Sequence, residues 1–156
     1  KKKYKRIYVT RQNSSYRNII NEGDLTEKLK KEGFEIIDTK NFSILQQIKI
    51  FSSAKVIVSA TGSSLTNIIF CSKGTKIFEI IPKYKFEYEK PMQSRYSYIC
   101  GKLGLIYNNM EADPIESKNI NPNINKYISS KILNQSNYYK DLLVKKNMFE
   151  KTIIDL

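Results

Sequence analysis

Val56-Ile57-Val58-Ser59-Ala60-Thr61-Gly62-Ser63-Ser64-Leu65-Thr66-Asn67 decides the fold: a short β-branched run gives way to small hydroxyl residues and then to an apolar helical pattern. A strand here hands over to a helix whose first N–H groups have no partner inside the helix. The macrodipole places about half a positive charge beside those groups, so phosphate is a natural guest, and Ser63, Ser64 and Thr66 add hydroxyls. The same residues also read as the ordinary cap of a structural helix, with Ser63 or Ser64 at the N-cap.

Working outward, Ile7-Tyr8-Val9-Thr10 reads as a first strand, followed by a polar loop from Arg11 to about Tyr16. A helix starts near Asn21, which is placed to cap it. Glu22, Asp24 and Glu27 suit its positive end, Lys28, Lys30 and Lys31 its negative end, and Gly33 the left-handed position after it. Leu25 and Leu29 share its buried face. A second strand follows at Phe34 to Asp38. Ser43 caps a second helix, in which Ile44, Ile48 and Phe51 recur at helical spacing with Leu45 beside them. The third strand is Lys55 to Ser59. The helix from Ser64 to about Cys71 leads to a fourth strand, Lys76 to Ile81. This spacing predicts right-handed βαβ units around a parallel sheet.

Ile81 to Tyr96, rich in Tyr, Lys and Pro, reads as an excursion loop beyond a strand's C-terminal end, where doubly wound folds put ligands. A helix near Ser97 to Leu103 and a strand at Leu105 to Tyr107 complete a fifth unit. Met110 to Asn125 reads as irregular, and two amphipathic helices are expected to cover the C-terminal part. The chain of 156 residues is thus expected to be a single α/β, Rossmann-like, doubly wound domain. Its sheet should be mostly parallel, of about five strands with helices on both faces, and residues 109–156 should pack on it. From the opening Lys1-Lys2-Lys3 in place of Met, with a strand close behind, the chain is expected to be a piece of a longer protein.

Histidine is absent, which removes Ser-His-Asp and Cys-His catalysis and the commonest transition-metal ligand. Cys71 and Cys100 are far apart in the sequence and read as buried free thiols. No apolar run is long enough to cross a bilayer. The net charge of +12 favours anionic partners. The lysines are scattered and no nucleic-acid motif accompanies them, so nucleic acid is not an expected partner.

Six segments, in order, carry a resemblance. They are Arg6-Ile7-Tyr8-Val9-Thr10-Arg11-Gln12, Arg17-Asn18-Ile19-Ile20-Asn21-Glu22, Gly33-Phe34-Glu35-Ile36-Ile37, Gln47-Ile48-Lys49-Ile50-Phe51-Ser52-Ser53-Ala54, Gly62-Ser63-Ser64-Leu65-Thr66-Asn67 and Phe78-Glu79-Ile80-Ile81-Pro82. Together they resemble the C-terminal half of glycosyltransferase family 61, which includes capsular-polysaccharide transferases of bacteria and O-linked sugar and xylan transferases of eukaryotes. The resemblance spans roughly residues 6 to 108. It implies one lobe of a GT-B architecture, binding the nucleotide-sugar donor, with a further N-terminal lobe holding most of the acceptor site. It also implies inverting, metal-independent transfer with no cofactor, from a nucleoside-diphosphate donor, UDP being the expected one, to a glycan hydroxyl. The general base is expected outside this chain.

Carried over by position, Arg11 and Arg17 match the family's paired arginines, whose planar forks suit phosphate oxygens, although each also reads as a surface ion-pair residue. Asn21 and Glu22 match an Asn-Glu pair at the helix start, where both types also serve locally. Gly62, Ser63, Ser64, Thr66 and Asn67 match the loop placed against the donor. The family commonly reads His-Gly-Ala-Gly-Leu here, whereas this chain has Thr61-Gly62-Ser63-Ser64-Leu65. Thr61 removes an ionisable donor and Ser64 restricts the backbone. Glu79 matches the family's acid before the proline and is placed for ribose hydroxyls, its alternative being a solvated or lysine-paired carboxylate. Asp38 is a weaker candidate that equally serves a turn.

The resemblance thus implies the donor-binding lobe of a bacterial enzyme of surface polysaccharide synthesis, cytoplasmic or peripheral at the inner membrane face. The alternative is a non-catalytic nucleotide- or polysaccharide-binding domain that kept the fold.

Overall fold

The computed structural model of the chain describes residues 5–12, 14–116 and 136–156. Five parallel strands and one antiparallel strand form a sheet of order β2-β1-β3-β4-β5-β6. The strands are β1 (Arg6–Val9), β2 (Glu35–Ile37), β3 (Val56–Ala60), β4 (Lys76–Pro82), β5 (Ile106–Ile115) and β6 (Asp141–Leu143). The Rossmann-like α/β expectation holds, with a sixth strand added.

The β-branched runs are buried on both faces because helices cover both. Tyr8, Val58, Ala60, Phe78 and Ile80 pack with Leu25 and Leu29 of α1 (Glu22–Lys31) and with Phe149 and Ile153 of α4 (Lys146–Ile154). The alternate residues Ile7, Val9, Ile57 and Ile77 pack on the other face. Their partners are Ile50 and Phe51 of α2 (Ile44–Ser53), Leu65 and Ile68, and Tyr96 and Cys100 of α3 (Lys90–Leu103). Each of the buried Val, Leu, Ile and Phe side chains among these contributes about 1.5–3 kcal/mol before the entropy of ordering it.

Local signals act as the residue types require. Gly33 takes the left-handed conformation after α1, at φ 77°. Ser43 and Gln46 exchange side chain and backbone bonds in a capping box at the start of α2. The Asp38 carboxylate accepts from Lys40 N in a short 3-10 turn, the local role open to it.

Several expectations need correction. The helix after β3 is a 3-10 helix, Ser63–Phe70, because the Asn67 amide donates to the Ser64 carbonyl and holds the tighter turn. Lys90 to Tyr96 is helical, so the excursion after β4 ends sooner than expected. Met110 to Ile115, expected to be irregular, prolongs β5, which first pairs with β4 and then, from Asp113, antiparallel with β6. Of two C-terminal helices, α4 is found; the rest of that expectation lies in 117–135, outside the described residues. Ile44 and Leu45 are 74% and 71% exposed, since only the C-terminal half of α2 reaches the sheet.

Candidate functional site at the switch point

Strands β1 and β3 are parallel neighbours whose outgoing connections diverge. The chain leaves β1 for α1 on one face, and leaves β3 for the 3-10 helix on the other. The crevice beyond their C-terminal ends is the position at which doubly wound sheets bind ligands. Arg11 follows β1 and Thr61-Gly62 follows β3, so both rims carry residues singled out by sequence.

Arg11 leans across the crevice. Its Nε donates to Arg17 O at 3.3 Å and its Nη2 to Tyr16 O at 3.0 Å. A Cβ on residue 62 would fall 2.0 Å from Arg11 Nη1, so glycine here is a condition of that approach. Gly62 itself has extended backbone, and its carbonyl accepts from the Tyr96 hydroxyl. Burial, with Arg17 beside it, brings the Arg11 guanidinium down to about 10.

Arg17 is 2% exposed and adopts φ 56°, a left-handed conformation costly for a side-chain-bearing residue. Its guanidinium carbon lies 3.9 Å from the centre of the Tyr138 ring and 4.9 Å from that of Tyr16. Nε and Nη1 of Arg17 are buried with no hydrogen-bond partner. The same is true of Arg95 Nε, whose Nη2 reaches Tyr138 Oη at 3.3 Å and Thr61 Oγ1 at 3.5 Å. Among the described residues none of the three arginines makes an ion pair with a carboxylate. Buried N–H groups without partners cost about 1–3 kcal/mol each, more when charged, and such groups collected in one place favour an anion.

Glu79 projects from β4 toward the α3 face and is 0% exposed, so it is not a solvated carboxylate. The Tyr107 hydroxyl donates to its Oε2 at 2.7 Å, while Oε1 has no partner. Burial raises its pKa above the usual carboxylate value, opposed by Thr61, Tyr107, Arg95 and Arg17. The Tyr84 hydroxyl nearby is also buried and unpartnered. Burial works against ionisation of Tyr138 too, but Arg17 and Arg95 pull that phenol below its ordinary value.

Tyr138 is fixed from a distance. Glu89, 1% exposed, accepts from the backbone of Lys85 and Phe86, from the Ser136 hydroxyl and from Tyr138 N. The Arg17 loop is held to the same C-terminal segment, since Leu142 N donates to Asn18 O and Ile20 N to Leu142 O.

The other sequence candidates do different work. Asn21 does not cap α1: its amide donates to Val144 O and accepts from Val144 N, joining the helix start to the chain before α4. Glu22 accepts from Tyr8 Oη at 2.6 Å, Thr10 Oγ1 at 2.8 Å and Arg11 N at 3.3 Å, which fixes the end of β1. Ser64 bonds Thr39, and Asn67 bonds Gln47, so both tie the 3-10 helix to α2 and the turn before it. Ser63 and Thr66 are exposed, and Thr66 lies 3.5 Å from the Tyr96 hydroxyl. Arg95, Tyr84, Tyr107 and Tyr138 were not singled out by sequence. For Arg95 the one available signal was its place in the segment after β4.

A family model described as Glycosyltransferase 61 matches residues 1–78, half of the chain's 156 residues. The chain belongs to glycosyltransferase family 61. No curated protein sequence matches it. The matched part of this glycosyltransferase contains Arg11, Arg17 and the Thr61–Asn67 segment, whereas Glu79, Arg95 and Tyr138 lie beyond it. Thr61, where the family commonly has histidine, is fully buried between Glu79 and Arg95.

Proposed function

We propose that the chain is the donor-binding lobe of an inverting, metal-independent glycosyltransferase that holds a nucleoside-diphosphate sugar at the β1/β3 crevice. The observation that carries this reading is the convergence of Arg11, Arg17 and Arg95 on one crevice, with buried N–H groups left without partners. Guanidinium forks suit diphosphate oxygens, and fixed positive charge there stabilises the charge that develops as the sugar–oxygen bond breaks. In the reaction an acceptor hydroxyl oxygen bonds to the anomeric carbon while the bond to the diphosphate oxygen breaks. The hydroxyl proton passes to a carboxylate base outside this chain. The nucleoside has room in an adjoining cleft of about 390 Å³ lined by Thr10, Gln12, Asn18, Glu22, Thr26 and Lys30. UDP is the expected nucleotide, and the acceptor is a glycan presented by a further lobe. The proposed setting is the cytoplasm, where the net charge of +12 would suit an anionic membrane face.

Calorimetric titration with UDP, GDP and CMP at two salt concentrations tests this, with Arg11→Ala and Arg95→Ala as controls. Selective UDP binding that weakens with salt and in both variants supports the reading. No binding by any of the three at millimolar concentration overturns it for this chain. The buried Thr61 favours a second reading, a binding domain without transfer activity. Sugar transfer by a protein containing both lobes separates the two.

A further inference from the structure

Among the described residues Glu79 is the carboxylate on which both Arg17 and Arg95 act, and its setting is unusual for a counter-ion. It is wholly enclosed, one oxygen is engaged by Tyr107, and the other is buried without a partner. It makes no ion pair with Arg17 or Arg95, although both guanidinium groups act on it. A buried carboxylate that is held by the Thr61 and Tyr107 hydroxyls and pairs with no cation is poorly placed to stay ionised. A carboxylic acid in the same place is neutral and costs less to bury.

Charge decides what happens when an anion enters. A diphosphate within reach of Arg17 and Arg95 competes with an ionised Glu79 for the same positive field and repels it at short range. Protonating Glu79 removes the repulsion. Resting on the donor-lobe reading above, we propose that Glu79, enclosed beside the crevice, carries a proton when a diphosphate is bound at Arg17 and Arg95, so that it does not compete with the ligand for their charge. Donor binding therefore takes up a proton at this side chain, and Glu79 is a positioning residue that ties donor affinity to pH.

The groups that face Glu79 come from every surrounding element: Thr61 at the end of β3, Tyr84 after β4, Arg95 and Cys100 from α3, Tyr107 from β5 and Arg17 from the β1–α1 loop. Burial raises the Tyr84, Cys100 and Tyr107 pKa values, so all three stay neutral between pH 5 and 8, and, against burial, the neighbouring Tyr96, Tyr138 and Glu79 raise that of Arg95. Glu79, raised by burial, and the Tyr138 phenol, lowered against burial by Arg17 and Arg95, are the groups here shifted toward that range, and the Glu79→Gln variant separates them.

The test is calorimetric titration of the chain with UDP-glucose and UDP-N-acetylglucosamine, whose diphosphate diesters do not titrate in this range. Each titration is run from pH 5 to 8 in buffers of different ionisation enthalpy. Wild type is expected to take up as much as about one proton on binding, with affinity falling by up to about tenfold per pH unit above the pKa of the free site. Glu79→Gln, which is neutral throughout, is expected to bind with no proton uptake and with pH-independent affinity. Binding by wild type without uptake overturns the proposal and leaves the donor-lobe reading standing. Uptake that persists in Glu79→Gln also overturns it, because the proton then goes elsewhere. No binding of either nucleotide sugar by the folded chain overturns both.

Discussion

Arg17 lies against the face of the Tyr138 ring, guanidinium carbon to ring centre at 3.9 Å, so a cation of the β1–α1 loop is roofed by a ring from the C-terminal segment. A cation on an aromatic face gains about 2 kcal/mol when both are shielded from water, and this pair is nearly so. Under the ring, Nε and Nη1 of Arg17 are buried with no acceptor of their own.

Removing the roof should cost more than removing its hydroxyl. Tyr138→Ala is expected to destabilise the chain by about 3 kcal/mol, the usual scale for emptying an aromatic site. Tyr138→Phe, which keeps the ring and loses the bond to Arg95, is expected to cost about 1 kcal/mol. Urea denaturation of the two variants checks the order.

The left-handed backbone at Arg17 separates strain from side-chain function. Arg17→Ala and Arg17→Gly both lose the guanidinium, and both are expected to lose nucleotide affinity. Glycine alone relieves the backbone, so Arg17→Gly should be more stable than Arg17→Ala by about 1 kcal/mol in denaturant melts. In an ordinary right-handed setting the order would reverse.

Gly62→Ala pushes a methyl group into Arg11 Nη1. To move away, Arg11 gives up its bonds to the Tyr16 and Arg17 carbonyls, at an expected cost of about 2 kcal/mol. The effect runs through Arg11, so the Arg11→Ala/Gly62→Ala double variant should be destabilised by less than the sum of the single ones. A double-mutant cycle measured by equilibrium unfolding reads this directly.

Glu79 makes a signed prediction for stability. Its folded pKa lies above the unfolded value, so between the two the folded chain holds more protons and stability falls as pH rises through that window. Above the folded pKa this contribution is flat. Glu79→Gln removes the fall, so its stability relative to wild type should grow as pH rises from about 4.5 and then level off. Unfolding midpoints at pH 5, 6, 7 and 8 test it.

The stretch from Ile7 to Ser59 was legible because its signals are local. Ser43 with Gln46 makes its capping box inside four residues, and Gly33 terminates α1 by its own conformational freedom. Arg11, Thr61 and Gly62 were legible for a related reason: they follow strands, and strand order brings their loops together. What depends on distant partners was hidden. Asn21 has the chemistry of a cap, yet its amide is taken by Val144, 123 residues on. Helical periodicity placed Ile44 and Leu45 on an apolar face but carried no information on where the sheet beneath α2 stops. Arg95 sits on a helix that the tyrosines and Pro91 made look like loop, and nothing around Tyr138 distinguishes it from ten other tyrosines until the chain is folded.

The stitching of residues 18–21 to residues 141–144 also sets a timetable. During synthesis β1 and its arginine loop leave the ribosome early, but their partners Leu142 and Val144 follow more than a hundred residues later. Until then the nascent chain carries Arg17 unroofed and the Asn21 amide unclaimed, exposed to whatever polyanions surround it. Contacts of such long sequence separation slow folding, so the crevice is finished late in translation and is the part of the molecule most dependent on protection while it waits.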